Sequence, residues 1–92
     1  MEGNKKTVVK YKTPLKKLRK VRKNARVNQA RLAEFLGVTP QFFSLLERGE
    51  NTLSYHYALE IAKFFDMTPD ELFKDDFMEQ NKRLQELEKR GY

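Results

Sequence analysis

The sequence contains no cysteine. A disulfide framework and a thiolate zinc site are both excluded, and a reducing, cytoplasmic setting is the natural one. There is one histidine, His56, and neither a cysteine nor a second histidine stands near it. No metal or cofactor is expected, and His56 reads as a solvent-facing residue beside Tyr55 and Tyr57. No apolar run approaches the roughly 20 residues of a membrane span. The N-terminus is basic but lacks the apolar stretch of a signal peptide. A soluble protein without a membrane partner is expected. The chain also lacks a nucleophile–base constellation, a phosphate-cradling glycine loop and a carboxylate pair with a reason to be catalytic, so no enzymatic role is expected. Asp75-Asp76 reads as a surface acidic pair at the end of a helix.

What is present is basic charge, unevenly spread. The 92 residues suit one small domain with tails, and the net charge is +6. Residues 1–27 hold eleven Lys/Arg against one Glu, and residues 28–92 hold eight Lys/Arg against twelve Asp/Glu. A solvated basic tail would account for such a run, as would contact with a polyanion. The choice turns on what the basic segment sits beside.

It sits beside Asn28–Gly49, NQARLAEFLGVTPQFFSLLERG, which reads as two short helices joined by a tight turn. The first spans Asn28 to Leu36, and Gly37 supplies the left-handed residue that ends it. Thr39 is a good N-cap and Pro40 a good first residue for the second helix, which runs to about Arg48. Leu32, Ala33 and Leu36 line one face of the first helix, Phe43 and Leu46 line one face of the second, and Val38 fills the turn. That is the layout of a helix-turn-helix whose second helix enters the major groove of DNA.

The remainder arranges itself around that unit. In residues 1–13, Thr7-Val8-Val9 and Tyr11 are β-prone with polar residues between them, which leaves a short strand and a disordered tail both open. The segment also has the charge of an arm that reaches along phosphates or into a minor groove. Thr13-Pro14 reads as the N-cap and first residue of helix 1, which runs to about Ala25. Leu15, Leu18 and Val21 form its apolar stripe. Lys16, Lys17, Arg19, Lys20 and Lys23 make the opposite face almost wholly basic, an arrangement whose self-repulsion a phosphate backbone would offset. Glu50 to Leu53 reads as a loop, and Ser54 caps a fourth helix from Tyr55 to about Asp66. Thr68-Pro69-Asp70-Glu71 is a complete capping box that opens a short fifth helix carrying Leu72 and Phe73. Residues 74–92 form a charged helical extension in which Phe77, Leu84 and Leu87 recur at seven and three, either the seam of a hairpin or dimer or a frayed surface helix. The expected division is an arm over 1–13, a helix-turn-helix domain over 14–73 and the extension over 74–92.

Leu15 to Phe73 resembles the helix-turn-helix domain of Cro and the lambda-type phage repressors, the xenobiotic-response-element family. The resemblance is carried by Gln29, Leu32-Ala33-Glu34, Leu36-Gly37-Val38-Thr39, Glu47 before Gly49, Ile61-Ala62-Lys63, and Thr68 to Phe73, in order and at the family's spacing. It implies an all-α, five-helix lambda-repressor-like bundle. It also implies binding of double-stranded DNA as a two-fold homodimer, and transcriptional control, with repression as the expected sign. By resemblance, Gln29 bonds a phosphate and braces the recognition helix, while Pro40, Gln41, Ser44 and Leu45 face the bases. Arg48 and Asn51 touch the backbone or groove, and Arg22 pairs internally with Glu47. The DNA-contacting set is thus Gln29, Thr39, Pro40, Gln41, Ser44, Leu45, Arg48 and Asn51.

The reading face departs from the family's. Pro40 has no side-chain donor and Leu45 offers only apolar contact, as to a thymine methyl. Gln41 is the one amide able to make a bidentate bond to adenine, and Ser44 is a short, tolerant partner. On a helical wheel Gln41, Ser44, Leu45 and Arg48 lie opposite Phe43 and Glu47, with Phe42 between the two sides as a core-edge residue or a wedge against a base or a sugar. So apolar a face leaves a second function open: a protein-interaction module, such as an antitoxin or adaptor, that keeps the fold and meets a protein antagonist or co-regulator.

Overall fold

The computed structural model describes residues 13–89, and for 83, 84 and 87–89 only the helical backbone. The expectations for residues 1–12, both strand and arm, and for the side chains of Leu84 and Leu87 lie outside the described residues. Within them there are five α-helices and no strand: α1 Lys16–Asn24, α2 Gln29–Leu36, α3 Pro40–Glu47, α4 Tyr55–Phe64 and α5 Pro69–Lys89. The all-α, five-helix bundle expected from the sequence is the one observed.

Local chemistry explains most of the boundaries. Asn28 Oδ1 accepts from the Arg31 amide at 2.8 Å, Thr39 Oγ1 from Phe42 at 3.1 Å and Ser54 Oγ from Tyr57 at 3.1 Å, each the side-chain cap of the helix that follows. Thr68 and Glu71 close the expected capping box reciprocally, at 2.8 and 3.1 Å. The C-terminal ends of α1 to α4 share one device. At α2, Val38 N–H donates to Ala33 O and Gly37 N–H to Glu34 O, with Gly37 left-handed at φ 75°. This six-to-one and five-to-two pair is the Schellman motif. It recurs after α1 around Arg26 (φ 60°), after α3 around Gly49 (φ 79°) and after α4 around Asp66 (φ 57°). Accordingly α4 stops at Phe64, two residues before the expected Asp66, because Asp66 is the left-handed residue that turns the chain.

Leu15, Leu18, Leu32, Ala33, Phe43, Ala58, Ile61, Ala62, Leu72 and Phe73 form the buried core, drawing on every helix. α2 packs on α3 and α4, while α1 and α4 both pack on α5. Burial of a Leu or Phe side chain is worth about 1.5–3 kcal/mol, so this cluster is the main source of cohesion.

Three expectations are corrected. Thr13-Pro14 does not open α1. Helix α1 begins at Lys16, and the Leu15 N–H donates to the Glu47 carbonyl at 2.9 Å, which ties the incoming chain to the last carbonyls of α3. Thr13 is buried against Gly49, where an added Cβ would collide with the Thr13 backbone. Asp75-Asp76 is not a surface pair: Asp75 is exposed, but Asp76 is only 6% exposed and its Oδ2 accepts from Lys17 N–H at 3.3 Å. Leu15 gives α1 no side-chain cap and its first turn holds no acidic residue, so Asp76 of α5 supplies the missing cap from across the bundle. Finally, α5 is not short. It continues unbroken for 21 residues, from Pro69 through the start of the charged extension to Lys89.

Candidate nucleic-acid interface

The recognition helix of the motif is held from beneath. Phe43, Leu46 and Glu47 are buried on one side of α3, which fixes the rotation of the helix and leaves Gln41 and Arg48 on the other. Glu47 is the pivot. Its Oε2 accepts from Arg22 Nε at 2.8 Å, and its Oε1 accepts from Arg22 Nη2 at 3.0 Å and from Gln29 Nε2 at 2.8 Å. Arg22 Nη1 donates to the Val27 carbonyl at 2.9 Å. One carboxylate thus binds the last residue of α3 to α1 and to the first residue of α2. The fork geometry of Arg on a carboxylate makes this a directional clamp rather than a loose ion pair.

Gln29 therefore occupies the bracing position that the resemblance implies. It also begins α2, where helix N–H groups lack intrahelical acceptors and the dipole favours an anion. Pro40 and Gln41 are exposed at the start of α3, Ser44 and Leu45 are half-buried in its middle, and Arg48 is exposed at its C-cap. Thr39 is exposed with its hydroxyl oxygen engaged as the N-cap. Asn51 lies half-buried beyond the end of the helix, its N–H donating to the Leu45 carbonyl at 3.2 Å. Phe42 is a core-edge residue: its ring meets Tyr57 edge-on at 5.7 Å. His56 is exposed beside the same tyrosine.

A cleft of about 380 Å³ opens between α1, the start of α2 and α3. Its floor is Arg22–Glu47, and Gln29, Ser44, Lys16, Arg19 and Arg48 surround it. Lys16 lies 3.8 Å from Glu79 and Arg48 lies 3.7 Å from Glu50, both as solvent-screened pairs that hold their cations weakly. Lys16 and Arg19 were not singled out from the sequence as site residues. The signal was the almost wholly basic polar face of α1, but spacing alone could not say which of its five cations turn toward α3. Chemically, the arrangement offers an oxygen-rich anion charge-assisted bonds from two guanidinium groups, one ammonium and one amide.

Among the described residues, no three or more His, Asp or Glu side chains are grouped to hold a metal ion. A family model described as helix-turn-helix matches residues 18–72, from the first turn of α1 into α5. A search of curated proteins returned no match.

Proposed function

We propose, from the premise that the chain belongs to the Cro-type helix-turn-helix family of DNA-binding regulators, that it is a sequence-specific repressor that binds double-stranded DNA as a homodimer and inserts α3 into the major groove. The observation that carries this reading is the joint placement of an uncovered α3 face and a cation-lined cleft beside it, both keyed to Glu47. The cleft takes a backbone phosphate and sets the register. Gln41, Ser44 and Leu45 then meet base edges, Gln41 by a bidentate bond to adenine and Leu45 by contact with a thymine methyl. Repression is the sign this reading expects, because a bound dimer whose operator overlapped a promoter would exclude polymerase. No described helix is long and apolar enough to cross a membrane, and the cytoplasm is where such a protein meets duplex DNA.

The test is selection of bound sequences from a random duplex pool at defined salt. The expected result is a two-fold symmetric motif with half-sites about 34 Å apart. Gln41→Ala relaxes base preference at one position per half-site by about 1–3 kcal/mol, and affinity falls steeply as salt rises. A protein that retains no preferred sequence at moderate salt refutes the reading and favours the protein-interaction alternative. That alternative draws on the exposed ring of Pro40 and on Leu45, since Phe42 is engaged with Tyr57.

A further inference from the structure

α5 has 21 residues where the other helices have 8 to 10. Its first half is used by the bundle: Leu72 and Phe73 are buried, Asp76 caps α1 and Glu79 pairs with Lys16. From Gln80 onward, none of the residues whose side chains are described is buried. Residues 81–89 carry the helix onward by about 13 Å, and an isolated helix that short is marginal in water. The family match stops at residue 72, ahead of this segment. The sequence nevertheless places Leu84 and Leu87 in it, seven and ten residues after Phe77.

The same helix offers a place for such a segment. Between the start of α4 and α5 lies an apolar groove of about 440 Å³, bordered by Leu53, Tyr55, Phe73, Phe77 and Met78. Tyr55 is 75% exposed, Met78 57% and Phe77 37%. Adjacent apolar side chains left this open mark a contact surface rather than scattered exposure. Groove and projecting segment lie on one helix, so two copies related by a two-fold axis satisfy both at once. The charges agree with an antiparallel pairing. Residues 70–79 expose Asp70, Glu71, Asp75 and Glu79 against one Lys, Asp76 being buried against α1, whereas residues 80–89 hold three Lys/Arg and two Glu. Antiparallel helices set the acidic half of each against the basic half of the other and oppose their dipoles. Among the described residues, α5 packs on α1 and α4 and makes no packing contact with α3, so pairing here leaves both reading faces uncovered.

We propose that the α4–α5 groove is covered by residues 80–89 of a second copy lying antiparallel along α5, and reciprocally. This rests on the homodimer of the reading above and names its contact surface. Sedimentation equilibrium of the full chain tests it, with binding to a mixed-sequence duplex of about one helical turn measured alongside. The wild type sediments as a dimer at tens of micromolar. Met78→Glu and, separately, Leu84→Asp weaken dimerisation by about thirtyfold or more while the helical circular dichroism is kept. Phe35→Glu, at an exposed aromatic on α2, leaves it unchanged. The short duplex, which engages one copy, binds Met78→Glu as it binds wild type. A monomeric wild type, or Met78→Glu or Leu84→Asp dimerising like wild type, overturns the proposal. Loss of wild-type binding to every duplex while the dimer and its sensitivity to Met78→Glu persist upholds this interface and refutes the DNA-binding reading instead.

Discussion

Glu47→Ala should destabilise the domain strongly without removing a direct contact with DNA. The carboxylate accepts three hydrogen bonds, two from Arg22 and one from Gln29, and the two charged side chains are only 9% and 4% exposed. Removing it leaves a buried guanidinium with the Val27 carbonyl as its one remaining partner within the network. Uncompensated burial of that kind costs about 3–5 kcal/mol. A domain of this size has roughly 5–14 kcal/mol of stability in total, so the variant loses about a fifth of it or more. Urea denaturation should show a lower midpoint at an unchanged slope, and the melting temperature should drop by roughly 12 °C or more. Replacing both partners, as Arg22→Met with Glu47→Leu, removes the stranded charge, so the double variant should be more stable than Glu47→Ala. The folded fraction of Glu47→Ala should keep the wild-type salt dependence of DNA binding, because Glu47 carries no phosphate contact. A stability loss under about 1 kcal/mol, or a double variant worse than the sum of the singles, would refute the claim that Glu47 is the pivot.

Asp76→Ala removes the cap that α5 gives to α1 and should cost about 1 kcal/mol, with amide exchange accelerated first at Lys17; Asp75→Ala, one residue away and exposed, should change stability by less than about 0.5 kcal/mol. Gly37→Ala should cost about 1–2 kcal/mol from the left-handed backbone alone, since nothing lies near its missing Cβ, and Gly49→Ala should cost clearly more in the same denaturation assay, because it also displaces the Thr13 backbone. Arg19→Ala should weaken binding to all duplexes alike and lower the slope of affinity against salt by about one ion, whereas a change in base preference would place Arg19 in the groove rather than on a phosphate.

Features whose cause lies within four residues were legible in the sequence. Thr39, Ser54 and the Thr68–Glu71 box announce helix starts because their side chains bond amides three positions on. Asn28 does the same, although the sequence alone places it inside the helix rather than as its cap. Gly37 announces a stop because its backbone is left-handed. Arg26 and Asp66 make the same stop with the same bonds, yet Arg gives no sign of it and Asp, which enters the left-handed region more readily than most residues, gives only a weak one. Thr13-Pro14 shows the opposite failure: it has a helix start's residues, but the Leu15 amide is claimed by a carbonyl 32 positions away. Asp76 was read as surface for the same reason, since its partner amide is 59 residues distant. The Arg22–Glu47 pair was visible through the family resemblance alone. A buried Arg and Glu separated by 25 positions leave no periodic trace.

The composition of the α3 face makes the dimer more than a convenience on the proposed reading. Discrimination of an operator from bulk DNA takes about 4–10 kcal/mol, and one bidentate side chain contributes about 1–3. Gln41 is the one amide on the uncovered face of α3, so a single copy falls short. Two copies supply about 2–6 kcal/mol from Gln41, which reaches the lower part of the required range. The remainder comes, on this reading, from Ser44 at base edges, from Leu45 on thymine methyls and from the cost of deforming the duplex between half-sites. All of those terms depend on the position of each α3 being held by the rest of the protein. The Glu47 clamp sets that position within a copy, and the α5 contact would set it between copies. A variant that loosens the α5 contact should therefore lose sequence preference faster than it loses affinity at low salt, where phosphate contacts alone suffice for binding.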